Sequence, residues 1–207
     1  MSKHNHTFHF TSESVTEGHP DKICDRISDA ILDAYLQKDS YSRCAIECLV
    51  TKNQLVIAGE ISSKTNINHE EVARSVIHKI GYIDPSLGFH AGCNIIDLMH
   101  RQAPELNINE GAGDQGLVFG FACNQTKELM PLPISLAHRL TRRLTEVRNE
   151  NIIDGLYPDG KSQVTVRYEN NVAVSIDNII VSTHHSNRYK EDNQFEILKS
   201  KIINHVV

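Results

Sequence analysis

The sequence predicts an α+β fold built from two similar units, and three observations lead there. A helix, a hairpin and a second helix follow one another along residues 20–80, and the same order returns along residues 134–206. The helical stretches keep their apolar residues at spacings of three and four, as a helix does when it buries one face. Both hairpins set two β-branched-rich runs on either side of a short polar turn. Two small sheets, each covered by helices, satisfy all three observations.

The first helix runs from Pro20 to about Lys38, with Ile23, Ile27, Ala30, Ile31, Ala34 and Tyr35 as its buried stripe. Pro20 occupies the favoured first helical position and Asp21 complements the positive end of the helix dipole. RCAIECLV, the turn TKNQ and LVIAGEIS form the first hairpin. A second helix spans about His69 to Ile80, where Asn68 and Glu71 have capping-box spacing and Val72, Val76 and Ile80 line one face. HRQAPELNINEGAGDQG is polar and glycine-rich, which reads as a long loop of the kind that often serves as a lid. The third helix covers about Ile134 to Arg148, through Leu136, Leu140, Leu144 and Val147. SQVTVRY, ENN and VAVSIDNIIVS make the second hairpin, and a last helix runs from about Phe195 to Val206. The expected division is residues 1–101, a loop at 102–113, and a second unit at 114–207.

Composition narrows the function. The chain has 207 residues, 21 Lys and Arg against 26 Asp and Glu, and a net charge of −5. That balance gives no basic footprint for a nucleic acid and favours a small-molecule ligand. No apolar run approaches the ~18 residues of a membrane span, and MSKHNHTFHF lacks the apolar segment of a secretory signal, so the cytoplasm is expected. Cys24, Cys44, Cys48, Cys93 and Cys123 are odd in number and contain no Cys-x-x-Cys pair. They are expected to be reduced and mostly buried, not a disulfide framework or a zinc ribbon.

Four places can carry chemistry. Glu17-Gly18-His19-Pro20-Asp21-Lys22 puts two acids, an imidazole and an amine at a helix start, where free N–H groups and the dipole attract phosphate and an Asp can hold Mg²⁺. Lys22 alone is equally consistent with a solvated charge. Gly111-Ala112-Gly113-Asp114-Gln115-Gly116 matches G-x-G-x-x-G, but a polar loop precedes it and the alternating run Leu117–Phe121 follows, so it is no dinucleotide fingerprint. Asp114 is the acid inside it. Asp159-Gly160-Lys161-Ser162 reads as a turn opening the second hairpin, a common structural feature that also aims a carboxylate and an ammonium from a strand end. Glu47 and Glu60 interrupt apolar strands and need a cation or an amine if their face is buried; alternation puts Glu47 opposite Ile46 and Cys48. His4, His6 and His9 read as a mobile terminus or part of a first strand. Arg139, Arg142, Arg143 and Arg148 read as a solvated helix face from which one arginine can reach a phosphate.

Together these residues resemble a known family. FTSESVTEGHPDKICDRISDAILDAYL, residues 10–36, is similar to the N-terminal signature of the S-adenosylmethionine synthases (methionine adenosyltransferases). GAGDQGLVFGFA resembles that family's glycine-rich hexapeptide region, and DGKSQVTV the start of its second-domain hairpin. The resemblance implies transfer of the adenosyl group of ATP to the sulfur of L-methionine, with the triphosphate then hydrolysed to pyrophosphate and phosphate. It implies that His19 contacts ATP near the reacting oxygen and stabilises the departing triphosphate, that Asp21 binds Mg²⁺, and that Glu47 binds K⁺. Glu60 and Gln102 would contact methionine. Asp114 would be the acid of the substrate pocket, and Asp159, Gly160 and Lys161 would contact ATP and its polyphosphate.

The resemblance further implies three α+β domains about a pseudo-threefold axis, in dimers or tetramers with shared active sites. The loop from Gln102 onward would be a gate, shorter here than is usual in the family. The family's later motifs, Thr-Gly-Arg-Lys and Gly-Gly-Gly-Ala of the third domain, are not in this sequence. The expected function is therefore S-adenosylmethionine synthesis that this chain alone completes only in part. The alternative is a truncated, inactive homologue that acts as a nucleotide-binding or oligomer-interaction module.

Overall fold

The computed structural model describes residues 6–103 and 116–207. Its strands and α-helices follow in the order β1 (Thr7–Val15), α1 (Pro20–Lys38), β2 (Arg43–Thr51), β3 (Gln54–Ser62), α2 (His69–Ile80), β4 (Asn94–Arg101), α3 (Leu132–Asn149), β5 (Leu156–Glu169), β6 (Val172–His185) and α4 (Asp192–His205). The chain divides into two compact units, one of residues 20–119 and one joining residues 1–19 to 120–207.

In the unit of residues 20–119, Ile23, Ile27, Ile31 and Tyr35 recur every fourth position along α1 and are all buried. They pack with Leu55, Ile57 and Ile61 of β3 and with Ala73, Ile77 and Ile80 of α2. At about 25 cal/mol per Å² of apolar surface, this burial is the main force holding the helices to the sheet. The Asn68 side chain accepts from the Glu71 N–H at 3.1 Å, so the predicted cap is formed. β2 and β3 pair antiparallel from Arg43↔Ser62 to Thr51↔Gln54. Parallel pairing of β4 with β3 then completes the sheet β2-β3-β4, with α2 as the crossover that parallel strands require. Gly59 of β3 has φ +139°, and a Cβ there would strike the Ala45 carbonyl of β2, so this close approach requires glycine.

The other unit repeats the helix, hairpin and helix on a different third strand. β5 and β6 pair antiparallel, and β1 adds antiparallel to β5 from Thr7↔Glu169 to Val15↔Lys161, giving the order β1-β5-β6. Val164, Val166 and Tyr168 of β5 alternate into a core with Ala137, Leu140, Leu144 and Val147 of α3 and Leu198, Ile202 and Val206 of α4.

Several expectations change. Residues 7–15 join the sheet of the later hairpin, so the compact units are residues 20–119 and residues 1–19 with 120–207. Histidines His6 and His9 follow the first-strand reading: Asn170 N–H bonds to His6 O at 2.9 Å, and His9 Nε2 lies 2.7 Å from Asp177 Oδ2. Asp159-Gly160-Lys161 lies inside β5, beside a register irregularity between Leu156 and Gly160, and is no turn. The alternating run 117–121 forms no strand, and Leu117, Val118, Phe119 and Phe121 are exposed. Of the five free cysteines only Cys93 is buried; the other four are half-buried. Among the described residues no helix is long and apolar enough to cross a membrane.

Candidate functional site

The loop after β1 is held by its backbone to β5. Thr16 N–H donates to Gly160 O at 2.9 Å, and the Thr16 hydroxyl donates to Pro158 O at 2.7 Å and Gly160 O at 3.1 Å. His19 N–H returns to Thr16 O at 3.2 Å, which closes the turn. Gly18 sits so close to Pro158 that a Cβ would lie 2.5 Å from its carbonyl oxygen. Glu17 is anchored from α3 by Arg148, with Nη2 to Oε1 at 2.7 Å and both side chains largely buried. The two motifs carrying His19 and Asp159–Lys161 are therefore packed on one another. Arg148, one of four arginines expected on a solvated face, spends its charge on Glu17; Arg139 and Arg142 are exposed.

Asp21 and Glu47 meet in the other unit. Both line a cavity of about 350 Å³ between the first turns of α1 and strand β2, with Cys24, Asp25, Ser28 and Cys48. Glu47 lies on the exposed side of β2, as the alternation predicts. Burial pushes the Cys48 thiol up to about 12, helped by neighbouring Cys24 and Glu47. Lys22 is turned to its own helix, where Nζ lies 2.9 Å from Asp25 Oδ2. Among the described residues no group of three or more His, Cys, Asp or Glu is placed to hold a metal ion. The carboxylates suit a hard cation that takes its remaining oxygens from water or a substrate phosphate.

Glu60 and Gln102 come to the same end of the β3–β4 pair. Glu60 stands opposite His100 in register and Oε1 lies 3.2 Å from its Nε2. Gln102 N–H continues the ladder to Ile61 O at 3.0 Å, while its side-chain Oε1 is buried with no hydrogen-bond partner among the described residues. A buried amide oxygen in that state favours a donor such as an ammonium. Asp114 and most of the expected gate at 102–113 lie outside the described residues.

Three further residues beside Asp159–Lys161 were not singled out from the sequence. Lys161 Nζ pairs with Glu13 Oε2 at 3.3 Å across β1 and β5. Tyr157 and His184 stack edge to face with ring centroids 4.7 Å apart. Glu13 sits in the matched motif FTSES, which could have drawn attention to it; His184 carries no signal beyond its place in Thr-His-His at the end of a strand.

Known proteins match this sequence over most of its length. The family model for the N-terminal domain of S-adenosylmethionine synthetase matches residues 7–104, and that for its central domain matches residues 109–207. The S-adenosylmethionine synthase of Desulfosudis oleivorans is 47 % identical over 209 residues, covering 96 % of this chain and 53 % of the relative. Those of Gloeothece citriformis and Synechococcus sp. are 50 % and 51 % identical, each over 86 % of this chain and 47 % and 46 % of their own lengths. The chain thus spans about half the length of the curated relatives it matches. Its residues, its two hairpin units and these matches place the chain in the S-adenosylmethionine synthetase family, of which it carries the N-terminal and central domains.

Proposed function

We propose that the chain contributes the ATP-polyphosphate and methionine contacts of a methionine adenosyltransferase. In that reaction the methionine sulfur attacks C5′ of ATP, and the C5′–O bond breaks with its electron pair leaving on the triphosphate. Water then divides the triphosphate into pyrophosphate and phosphate. Displacement of this kind asks the protein for alignment and for stabilisation of the developing negative charge. His19 is assigned to the oxygen that departs from C5′, and Asp159, Gly160 and Lys161 to the nucleotide and its phosphates. Glu60 and Gln102 are assigned to methionine, with the orphaned Gln102 oxygen receiving its ammonium. Asp114 is assigned to the substrate pocket and the loop 102–113 to its gate. Asp21 would hold Mg²⁺ and Glu47 K⁺, cations that neutralise phosphate charge when bound. A cytoplasmic homo-oligomer completes the reading.

The observation that supports it most is the packing of the His19 loop on Pro158–Gly160. A second reading, nucleotide binding without turnover, is favoured by the engagement of Lys22 by Asp25 and of Lys161 by Glu13. One experiment separates them. The purified chain is given ATP, methionine, Mg²⁺ and K⁺, and S-adenosylmethionine is measured beside calorimetric binding of a non-hydrolysable ATP analogue. Product that disappears in His19→Ala and Asp21→Ala but persists in His6→Ala supports synthesis; binding without product supports the second reading. His19→Ala and Lys161→Ala should each weaken binding about tenfold or more, near 1.4 kcal/mol. Equal effects of His6→Ala and His19→Ala would refute the site assignment.

A further inference from the structure

The β5–β6 hairpin carries a pair of rings that the proposed reaction does not use. The irregular register between Leu156 and Gly160 leaves Tyr157 and Asp159 beside the stretch Thr183–His185 of β6, where Gly160 pairs with Thr183 and Lys161 with Ser182. Within this stretch the His184 imidazole is set against the Tyr157 ring at 4.7 Å with planes at 60°, a favourable edge-to-face arrangement that restricts the imidazole's rotation. Asp159 acts on the same ring electrostatically. The imidazole is thus held at the residues assigned above to ATP, on the same sheet and within the same unit.

From this geometry we propose that His184 is a proton-accepting contact for the polyphosphate of the nucleotide, taking up a proton as phosphate oxygens arrive beside Asp159 and Lys161. The proposal rests on the functional reading above and adds a residue that reading does not include. The groups that face His184 are Asp159 from β5, which favours the imidazolium, and His185 from its own strand, which opposes it. Tyr157 supplies an uncharged ring, and farther across the sheet Lys161 is paired with Glu13 of β1. Burial is the largest influence and holds the ring below its ordinary value of 6.5, so the unliganded chain keeps it neutral near pH 7. A phosphate adds negative charge at hydrogen-bond range and raises that value. Proton uptake on binding means that affinity falls as pH rises between the free and bound values, and is flat on either side. One proton sets a ceiling of about one decade of affinity per pH unit.

The test is calorimetric titration of the chain with inorganic tripolyphosphate, in two buffers of different ionisation enthalpy, from pH 5.5 to 8. The same series on His184→Gln removes the ligand's own proton exchange by difference. His184 belongs to neither hydrophobic core, so this variant should keep the wild-type melting temperature. The wild type should take up more protons than the variant, and a bound value raised by about one unit makes its affinity ratio across the range about tenfold larger. Tyr157→Ala, which frees the ring, should reduce that difference. The His184 ring signal followed by NMR should shift its midpoint upward on adding tripolyphosphate. Equal proton counts in both proteins, or an unmoved His184 midpoint while the Lys161 signals shift, overturn the inference and leave the functional reading intact. No response at either Lys161 or His184 overturns both.

Discussion

Replacing Gly18 by alanine tests the contact on which the site reading depends. Gly18 has no positive φ, so alanine meets no backbone penalty there, and the whole effect is steric. The new methyl would lie 2.5 Å from Pro158 O and nearer still to two carbons of that residue, two of the three being backbone atoms that cannot swing aside. Ordinary contact at about 3.5 Å requires the loop and β5 to part by roughly 1 Å. That displacement would stretch the Thr16 hydroxyl bond to Pro158 from 2.7 Å beyond the hydrogen-bond range, and would strain the 2.9 Å and 3.1 Å bonds to Gly160. Overpacking costs about 1–3 kcal/mol and each lost bond about 1 kcal/mol, so about 3 kcal/mol is expected. At about 2–4 °C per kcal/mol for a chain of this size, the melting temperature should drop by about 6–12 °C. Tripolyphosphate binding should weaken in the same protein. Gly116→Ala, with nothing within 4 Å of its new methyl, is the control. Gly160→Ala should fall between them, because its nearest neighbour is the movable Leu144 Cδ2 at 2.9 Å. A Gly18→Ala protein that melts and binds like the wild type would refute the close packing of the two motifs.

Two other expectations concern charge. Arg148→Ala removes the 2.7 Å charged partner of the Glu17 carboxylate, whose side chain is only 22 % exposed, and should cost on the order of 3 kcal/mol in urea unfolding. A loss no larger than that from breaking the exposed Lys199–Glu196 pair, under about 1 kcal/mol, would show that Arg148 does not anchor the loop. Cys48, with its thiol pushed up to about 12, is almost wholly protonated at pH 8, with about one thiolate in 10⁴. Iodoacetamide should therefore label it on the order of a thousandfold more slowly in the folded chain than in urea, by peptide mass spectrometry, and labelling should rise with pH up to that value. Comparable labelling in both states at pH 8 would contradict its burial.

Locally determined elements were legible. α1 begins at Pro20 and α2 is capped by Asn68 because those signals act within one turn, and both helices have the predicted ends. Alternation likewise placed Glu47 on the exposed side of β2. Strand β4 was missed because it lies at a sheet edge: Ile95 and Met99 pack on the core, whereas Ile96 and Leu98 stay exposed, so its apolar residues follow no single period. Pro158-Asp159-Gly160 has the composition of a turn, yet its proline is tolerated in β5 next to an irregularity, where a missing ladder donor costs little. The pairing of Thr7 with Glu169 has no local trace at all, and with it went the true membership of β1. Motif reading singled out His19, Asp21 and Asp159–Lys161 because charged and titratable groups are packed there into short runs. Glu13 meets Lys161 and His184 meets Tyr157 through strand register, which emerges only when the sheet is built.

The position of β1 also has a consequence during synthesis. Residues 20–119 form a continuous stretch that can fold while the remainder is still being translated. β1 leaves the ribosome well before its partner β5, whose pairing runs as far as Glu169. At roughly 5–20 residues per second that wait lasts on the order of ten to thirty seconds. Throughout it Phe8 and Phe10 belong to an unpaired strand, the kind of edge that invites wrong pairing. Residues 7–15 are thus made long before their sheet can form, and they stay unpaired until β5 emerges.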